Sequence, residues 1–216
     1  MSLGLLMAFM EPGGGPFFSA QNKNRNATIV TDKFAFSGNS HTCAGWVFTN
    51  CDPVGGAICT TSGSFATITT FATSNLAAAN GFGTQGFTVA PFNDCAGGTN
   101  AVMFNSWFSV ATYDHTKIQF RITGLNSGKT YTLSFAGATT NGTVGARVTA
   151  VRLEGAVLSS AQTFDPGSTG APNNTATAIT TFTGIAPNGS GQIDVFVYKS
   201  GSDRAILSAM TIANEN

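Results

Sequence analysis

Charge is what this sequence has least of. Asp, Glu, Lys and Arg make up 9% of the 216 residues, against roughly 25% in an average globular domain. Ten basic side chains are balanced by ten acidic ones, so the electrostatic footprint that attracts a phosphate backbone is missing and nucleic acid is not an expected partner. Long apolar runs are missing too. The apolar opening from Leu3 to Met10 falls far short of the roughly 20 residues of a membrane-spanning helix, so no membrane partner is expected. No basic residue precedes it, and no small-residue cleavage site comes before Glu11-Pro12, so it does not read as a secretion signal. Helical periodicity is also scarce: only Ser74-Asn75-Leu76-Ala77-Ala78-Ala79-Asn80, closed by Gly81, has the cap, alanine run and stop of a single helical turn.

Residues that carry chemistry are equally thin. There are two histidines, His41 and His115, and no serine sits in a nucleophile-elbow motif. The carboxylates Asp32, Asp52, Asp94, Asp114, Glu154, Asp165, Asp194 and Asp203 are scattered singly, whereas a glycosidase needs two held at a set separation. Asp114-His115 reads as a turn that leads into a strand, and Asp165-Pro166-Gly167 as a turn rather than a calcium loop. Gly81-Phe82-Gly83-Thr84-Gln85-Gly86 lacks the strand-and-helix frame of a phosphate-binding loop. The expectation is a protein without catalytic residues, cofactor or metal. Cys43, Cys51 and Cys59 fall eight residues apart, with Cys95 further on. No pair has the short spacing of a zinc site, which leaves disulfides in any of three pairings, or buried thiols.

What is present is material for a core: 42% hydrophobic residues, 18 of them Phe, with 26 Gly to cut the chain into short pieces. Residues 1–27 read as an arm, with an apolar tip, the hinge Pro12-Gly13-Gly14-Gly15-Pro16, the pair Phe17-Phe18 and a polar run to Asn26. From Thr28 the text changes to short β-branched and aromatic runs separated by Gly, Asn, Asp and Pro, which predicts one all-β domain over 28–216. Strands are expected at Ser64–Thr69, Gly86–Val89, Lys117–Ile122, Tyr131–Phe135, Ala146–Leu153, Ala176–Phe182, Gln192–Tyr198 and Ala205–Ile212. The period of two puts Ile193, Val195 and Val197 on one side and Asp194, Phe196 and Tyr198 on the other.

Three segments carry a family resemblance: Trp107-Phe108; the unit Gly124-Leu125-Asn126-Ser127-Gly128-Lys129-Thr130-Tyr131-Thr132-Leu133; and Gly191-Gln192-Ile193 ahead of the final run Ala205-Ile206-Leu207-Ser208-Ala209-Met210. The stretch from Asn105 to the C-terminus resembles a galactose-binding-like jelly roll, the β-sandwich of many carbohydrate-binding modules. The resemblance covers about half of the chain. It implies a jelly-roll β-sandwich in which Gly124 and Gly128 permit a turn, Leu125 plugs the end of the sandwich, and Tyr131 and Leu133 point into the core.

For function, the quiet surface and the apolar arm point to a structural protein of a phage particle, a capsid decoration or cement subunit located in the virion. Leu5, Leu6, Met7, Phe9, Met10, Phe17 and Phe18 would contact the major capsid protein or like copies, and a homo-oligomer is the default for such a subunit. The alternative is a carbohydrate-binding module, or a tail or fibre adhesin, that recognises surface glycans. Trp46, Trp107, Tyr113 and Tyr198 are the candidate sugar-stacking rings. Trp107 reads as core, and Trp46, among the cysteine-bearing loops, as the glycan contact.

Overall fold

The computed structural model describes residues 29–36, 43–49, 51, 53, 57–71, 76–79, 89–93, 106–109, 112–139, 147–167 and 175–215. Leu5, Leu6, Met7, Phe9, Met10, Phe17 and Phe18 of the expected arm lie outside them, as do His41, Asp52, Asp94, Cys95 and the segment Gly81–Gly86. Strands follow one another along the described chain: β1 (Thr31–Ala35), β2 (Val47–Phe48), β3 (Thr60–Ser62), β4 (Thr67–Thr70), β5 (Leu76–Ala79), β6 (Ser106–Ser109), β7 (Phe120–Thr123), β8 (Thr130–Ala136), β9 (Thr149–Glu154), β10 (Gln162–Phe164), β11 (Ile179–Ile185), β12 (Ile193–Lys199), β13 (Ala205–Leu207) and β14 (Ala209–Glu215). One sheet has the order β11-β8-β14-β1-β2, a second β10-β9-β12-β7-β4-β3, and a small third β13-β6-β5. Pairing is antiparallel except between β1 and β2.

The protein is a β-sandwich because the two large sheets each turn one apolar face inward. Phe34, Leu133, Phe135, Phe182 and Ile212 of the five-stranded sheet meet Ile68, Phe120, Ile122, Val151, Leu153, Ile193, Val195 and Val197 of the six-stranded one in a single core cluster. Every second residue of β8 and β12 is therefore shielded from water, and each such Leu, Ile or Phe contributes roughly 1.5–3 kcal/mol. The expected alternation of β12 is observed, with Ile193, Val195 and Val197 inside. Phe196 lies on the opposite face and is nonetheless 1% exposed, which means that something covers it.

The unit at Gly124–Leu133 and the Gly191-Gln192-Ile193 segment meet at one corner of the sandwich. Gly124 has φ +85° and Gly191 φ +70°, and a Cβ on Gly191 would stand 2.2 Å from the Leu125 carbonyl oxygen, so side chains are barred there by both strain and space. The Leu125 N–H donates to the Gly191 carbonyl at 3.2 Å. Leu125 is buried, and the Tyr131 hydroxyl accepts the Asn126 N–H at 2.8 Å. Gly128 differs from expectation, because its φ lies outside the left-handed region. The turn is held instead by the Asn126 side chain, whose oxygen accepts the Gly128 N–H at 2.8 Å, a local bond that Asn makes readily.

Other differences have local causes. The stretch predicted as a helical turn is β5, an edge strand whose Leu76–Ala79 pair with Ser109–Ser106 of β6. Ladder hydrogen bonds from a neighbouring strand outweigh the weak helix preference of three alanines. The strand predicted from Lys117 begins at Phe120, because Lys117 donates its N–H to Asp114 in a turn. Gln119 is buried and its side-chain oxygen accepts the Val197 N–H at 2.9 Å, so a side chain does the work of a strand carbonyl. Residues Ala176–Ala178 form a 3-10 turn ahead of β11. The final run breaks at Ser208, where the chain passes from the small sheet into the five-stranded one. Its N–H donates to Ala136 and its hydroxyl accepts from Ala138 N–H at 3.0 Å.

Candidate functional site

The outer face of the six-stranded sheet collects the side chains with the most varied chemistry. Register decides which they are: Asp194 stands opposite both Arg121 of β7 and Glu154 of β9, Phe196 opposite Arg152, and Tyr198 opposite Ala150. Arg121 and Asp194 form a two-point ion pair at 2.5 and 2.8 Å, the geometry that suits a guanidinium best. The same guanidinium lies 5.2 Å over the Phe71 ring. Towards the sheet edge, hydroxyls replace charges, with Thr60 and Thr69 3.3 Å apart and Ser62 and Thr67 3.0 Å apart.

Phe196 is covered by the segment just before β7. There the Asp114 carboxylate accepts the Thr116 N–H at 2.9 Å and the Thr116 hydroxyl at 2.7 Å. Those two bonds, the hydroxyl's the larger, hold its carboxyl below the usual range. The turn reading of Asp114-His115 is therefore observed. It lays His115 flat on Phe196, with ring centroids 5.6 Å apart and planes 19° apart, and sets Tyr113 edge-on to the same ring at 6.0 Å. His115 Nε2 lies 2.9 Å from a Glu154 oxygen, and both side chains are open to solvent.

Tyr113 also meets Tyr198, with centroids 5.0 Å apart. The Arg152 guanidinium sits 4.7 Å over the Tyr113 ring, and its Nε donates to the Tyr198 hydroxyl at 3.4 Å. Two of the rings singled out in the sequence are thus brought together across 85 residues of chain, beside an arginine that sequence reasoning passed over. One signal was available: an apolar Phe196 at an outward position of an alternating strand needs a cover.

Trp46 requires correction as a glycan contact. It is 7% exposed, its ring 6.0 Å from Phe92 and under Lys33 at 5.7 Å. The outer face of the five-stranded sheet carries the small residues Ala35, Ala136 and Ala209, and Trp46, Phe48 and Phe92 fill the trough they leave. A ring used as filler presents no face to a sugar. Trp107 lies on β6, opposite Leu207 and Ala78.

The remaining candidates among the described residues serve the fold. Cys51 and Cys59 form a disulfide, Cys43 is also disulfide-bonded, and no described cysteine is free. The buried Asp32 carboxylate accepts N–H groups of Ser64, Phe65 and Ala66 at 2.7–2.9 Å, together with the Ser64 hydroxyl. It therefore fastens β1 to the β3–β4 turn. Asp165 accepts the Gly167 N–H at 2.9 Å, a turn bond. Asp203 pairs with Arg147 at 2.8 Å and Arg204 at 3.1 Å; burial pushes its carboxyl up, but the two arginines outweigh this and hold it low. Among the described residues no three His, Cys, Asp or Glu converge as a metal site would require, and no helix is long and apolar enough to cross a membrane.

No family model matches this chain, and no curated protein matches it. Among solved structures, the crystal structure of the protein YxiM from Bacillus subtilis is similar at a TM-score of 0.42 and 14% identity, over 87% of this chain and 40% of that one. The chain thus spans less than half the length of that protein, and a likeness at this level carries no argument about either fold or function.

Proposed function

We propose that this chain is a non-enzymatic structural subunit of a phage particle: a jelly-roll decoration or cement protein of the virion, present in several copies, that binds neighbouring capsid subunits. The contacts are made by Leu5, Leu6, Met7, Phe9, Met10, Phe17 and Phe18 of the arm and by the sandwich surface. The observation that supports a structural role best is how the acidic groups are used. Asp32 ties β1 to a turn, Asp194 ties β12 to β7, Asp203 ties two arginines, and Glu215 binds the Thr130 and Thr132 hydroxyls and the Gly184 N–H. Carboxylates spent as joints make a rigid, chemically quiet body. The disulfides fit a particle that meets an oxidising exterior after leaving the host cytosol. Deleting residues 1–15 should leave a folded sandwich, with an unchanged circular dichroism spectrum, that no longer joins the particle. Normal incorporation of the truncated chain would sink the proposal.

A second reading, a carbohydrate-binding module or a tail or fibre adhesin, is favoured by one observation: Tyr113 and Tyr198 stand together, half-buried, on the outer face of the six-stranded sheet. Aromatic rings there offer the apolar surface on which a sugar ring stacks. A glycan array separates the readings, since reproducible binding lost in Tyr113→Ala supports the second and silence across the array removes it.

A further inference from the structure

Among the described residues, the arginines are accounted for by acids with one exception. Arg121 is paired with Asp194, and Arg147 and Arg204 with Asp203. Arg152 meets no carboxylate among the described residues. Its partners are the face of Tyr113 and the hydroxyl of Tyr198. A guanidinium held this way keeps its full charge and most of its N–H donors unspent. It is also pre-oriented, so little side-chain entropy remains to be lost when an anion arrives.

The surroundings narrow the kind of anion. Glu154 lies two residues along β9 on the same face, about 7 Å away by the rise of a strand, and Asp194 stands across from Glu154. Asp194 is already neutralised by Arg121, but an acidic peptide or a polyanion would still have to lay further negative charge against the exposed Glu154. A ligand that is anionic at one point and rich in hydroxyl donors elsewhere meets no such conflict: its carboxylate takes Arg152, and a neighbouring hydroxyl donates to the exposed Glu154. A sugar acid has that pattern, with apolar C–H faces for the tyrosines.

We propose that Arg152, held between Tyr113 and Tyr198 on the outer face of the six-stranded sheet, is the carboxylate-recognition point of a binding site for an acidic saccharide. This rests on the saccharide reading of the same face and adds the ligand class to it. Because one charge-assisted contact carries the discrimination, its removal weakens binding roughly tenfold or more, and added salt weakens the acidic ligand more than a neutral one.

The test uses the full chain on an array of sialylated and uronate-terminated oligosaccharides, each beside its uncharged counterpart. The expected result is preference for the acidic members, lost in Arg152→Gln at an unchanged melting temperature and reduced to a lesser degree in Tyr198→Phe, which keeps the charge but frees the guanidinium. Equal binding of acidic and neutral members overturns this inference and leaves the saccharide reading standing. Binding to no member overturns both and turns attention to an acidic side chain of a neighbouring subunit. A preference that survives Arg152→Gln overturns the assignment of the site. Where Arg152→Gln lowers the melting temperature, Tyr198→Phe decides, and an unchanged preference in that variant overturns the assignment too.

Discussion

Residues 117–215 and residues 43–71 reach the same sandwich by different means. In the later region the strands are up to seven residues long, and their alternation alone loads one face with Leu, Ile, Val and Phe. In the earlier one β2 has two residues and β3 three. Strands that short have few ladder bonds and little apolar surface, so other ties hold them: the Cys51–Cys59 disulfide, the Asp32 carboxylate on the turn before β4, and Trp46 and Phe48 filling an alanine trough. The lesson is that a strand long enough to alternate can draw chiefly on burial, with ion pairs such as Arg121–Asp194 added to it, whereas β2 and β3 depend on a disulfide, a buried carboxylate and filler rings.

That contrast can be broken from either side. Phe135→Ala, at a fully buried position of β8, removes a ring that Phe182 meets edge-on at 5.9 Å. It should cost about 3–5 kcal/mol, read as a lower denaturant midpoint with an unchanged slope. A loss below about 1 kcal/mol would mean that burial does not hold the later region. Replacing Cys51 and Cys59 together by Ser opens a link between residues eight apart and should cost about 2–3 kcal/mol. Hydrogen exchange should then rise in Thr60–Thr70 and stay unchanged in β8 and β12, and a uniform rise would erase the distinction between the regions.

The smallest effect concerns pH. The Glu215 carboxyl is held below its ordinary range, chiefly by the Thr132 hydroxyl, with burial opposing and the Gly184 N–H and Thr130 hydroxyl adding to it. A depressed carboxyl contributes stability that is complete above the ordinary glutamate range and is lost as pH falls through the lowered folded value. Thermal melts from pH 7 down to pH 3 should therefore show a decline that is shallower in Glu215→Gln. Because Glu215 joins β8, β11 and β14, the difference should be confined to the later region, and identical profiles would remove it as a joint.

Much of the later region was legible because its signals are local. Ile193, Val195 and Val197 announce a buried face by their spacing, and Asp114, Asn126 and Asp165 announce turns because each side chain bonds the backbone two residues on. Trp46 and the Ala77–Ala79 run misled for the converse reason. Whether a tryptophan is platform or filler depends on which residues of a distant sheet lie beneath it, and whether three alanines form a turn or a strand depends on whether a partner strand arrives. The candidate site was half legible: Tyr113 and Tyr198 stand out as rings, while Arg152 looks like any outward arginine.

The sequence by itself determined an all-β protein with a phenylalanine-rich core and little charge, since period, composition and turn chemistry act within a few residues of one another. Only the tertiary structure decided that Cys51 joins Cys59, that Asp32 is a fastener, and that Tyr113, Arg152 and Tyr198 share one surface. Strand order and register bring those residues together across long stretches of chain, and register is set by how two whole sheets bury their faces, a sum over the fold that no short segment contains.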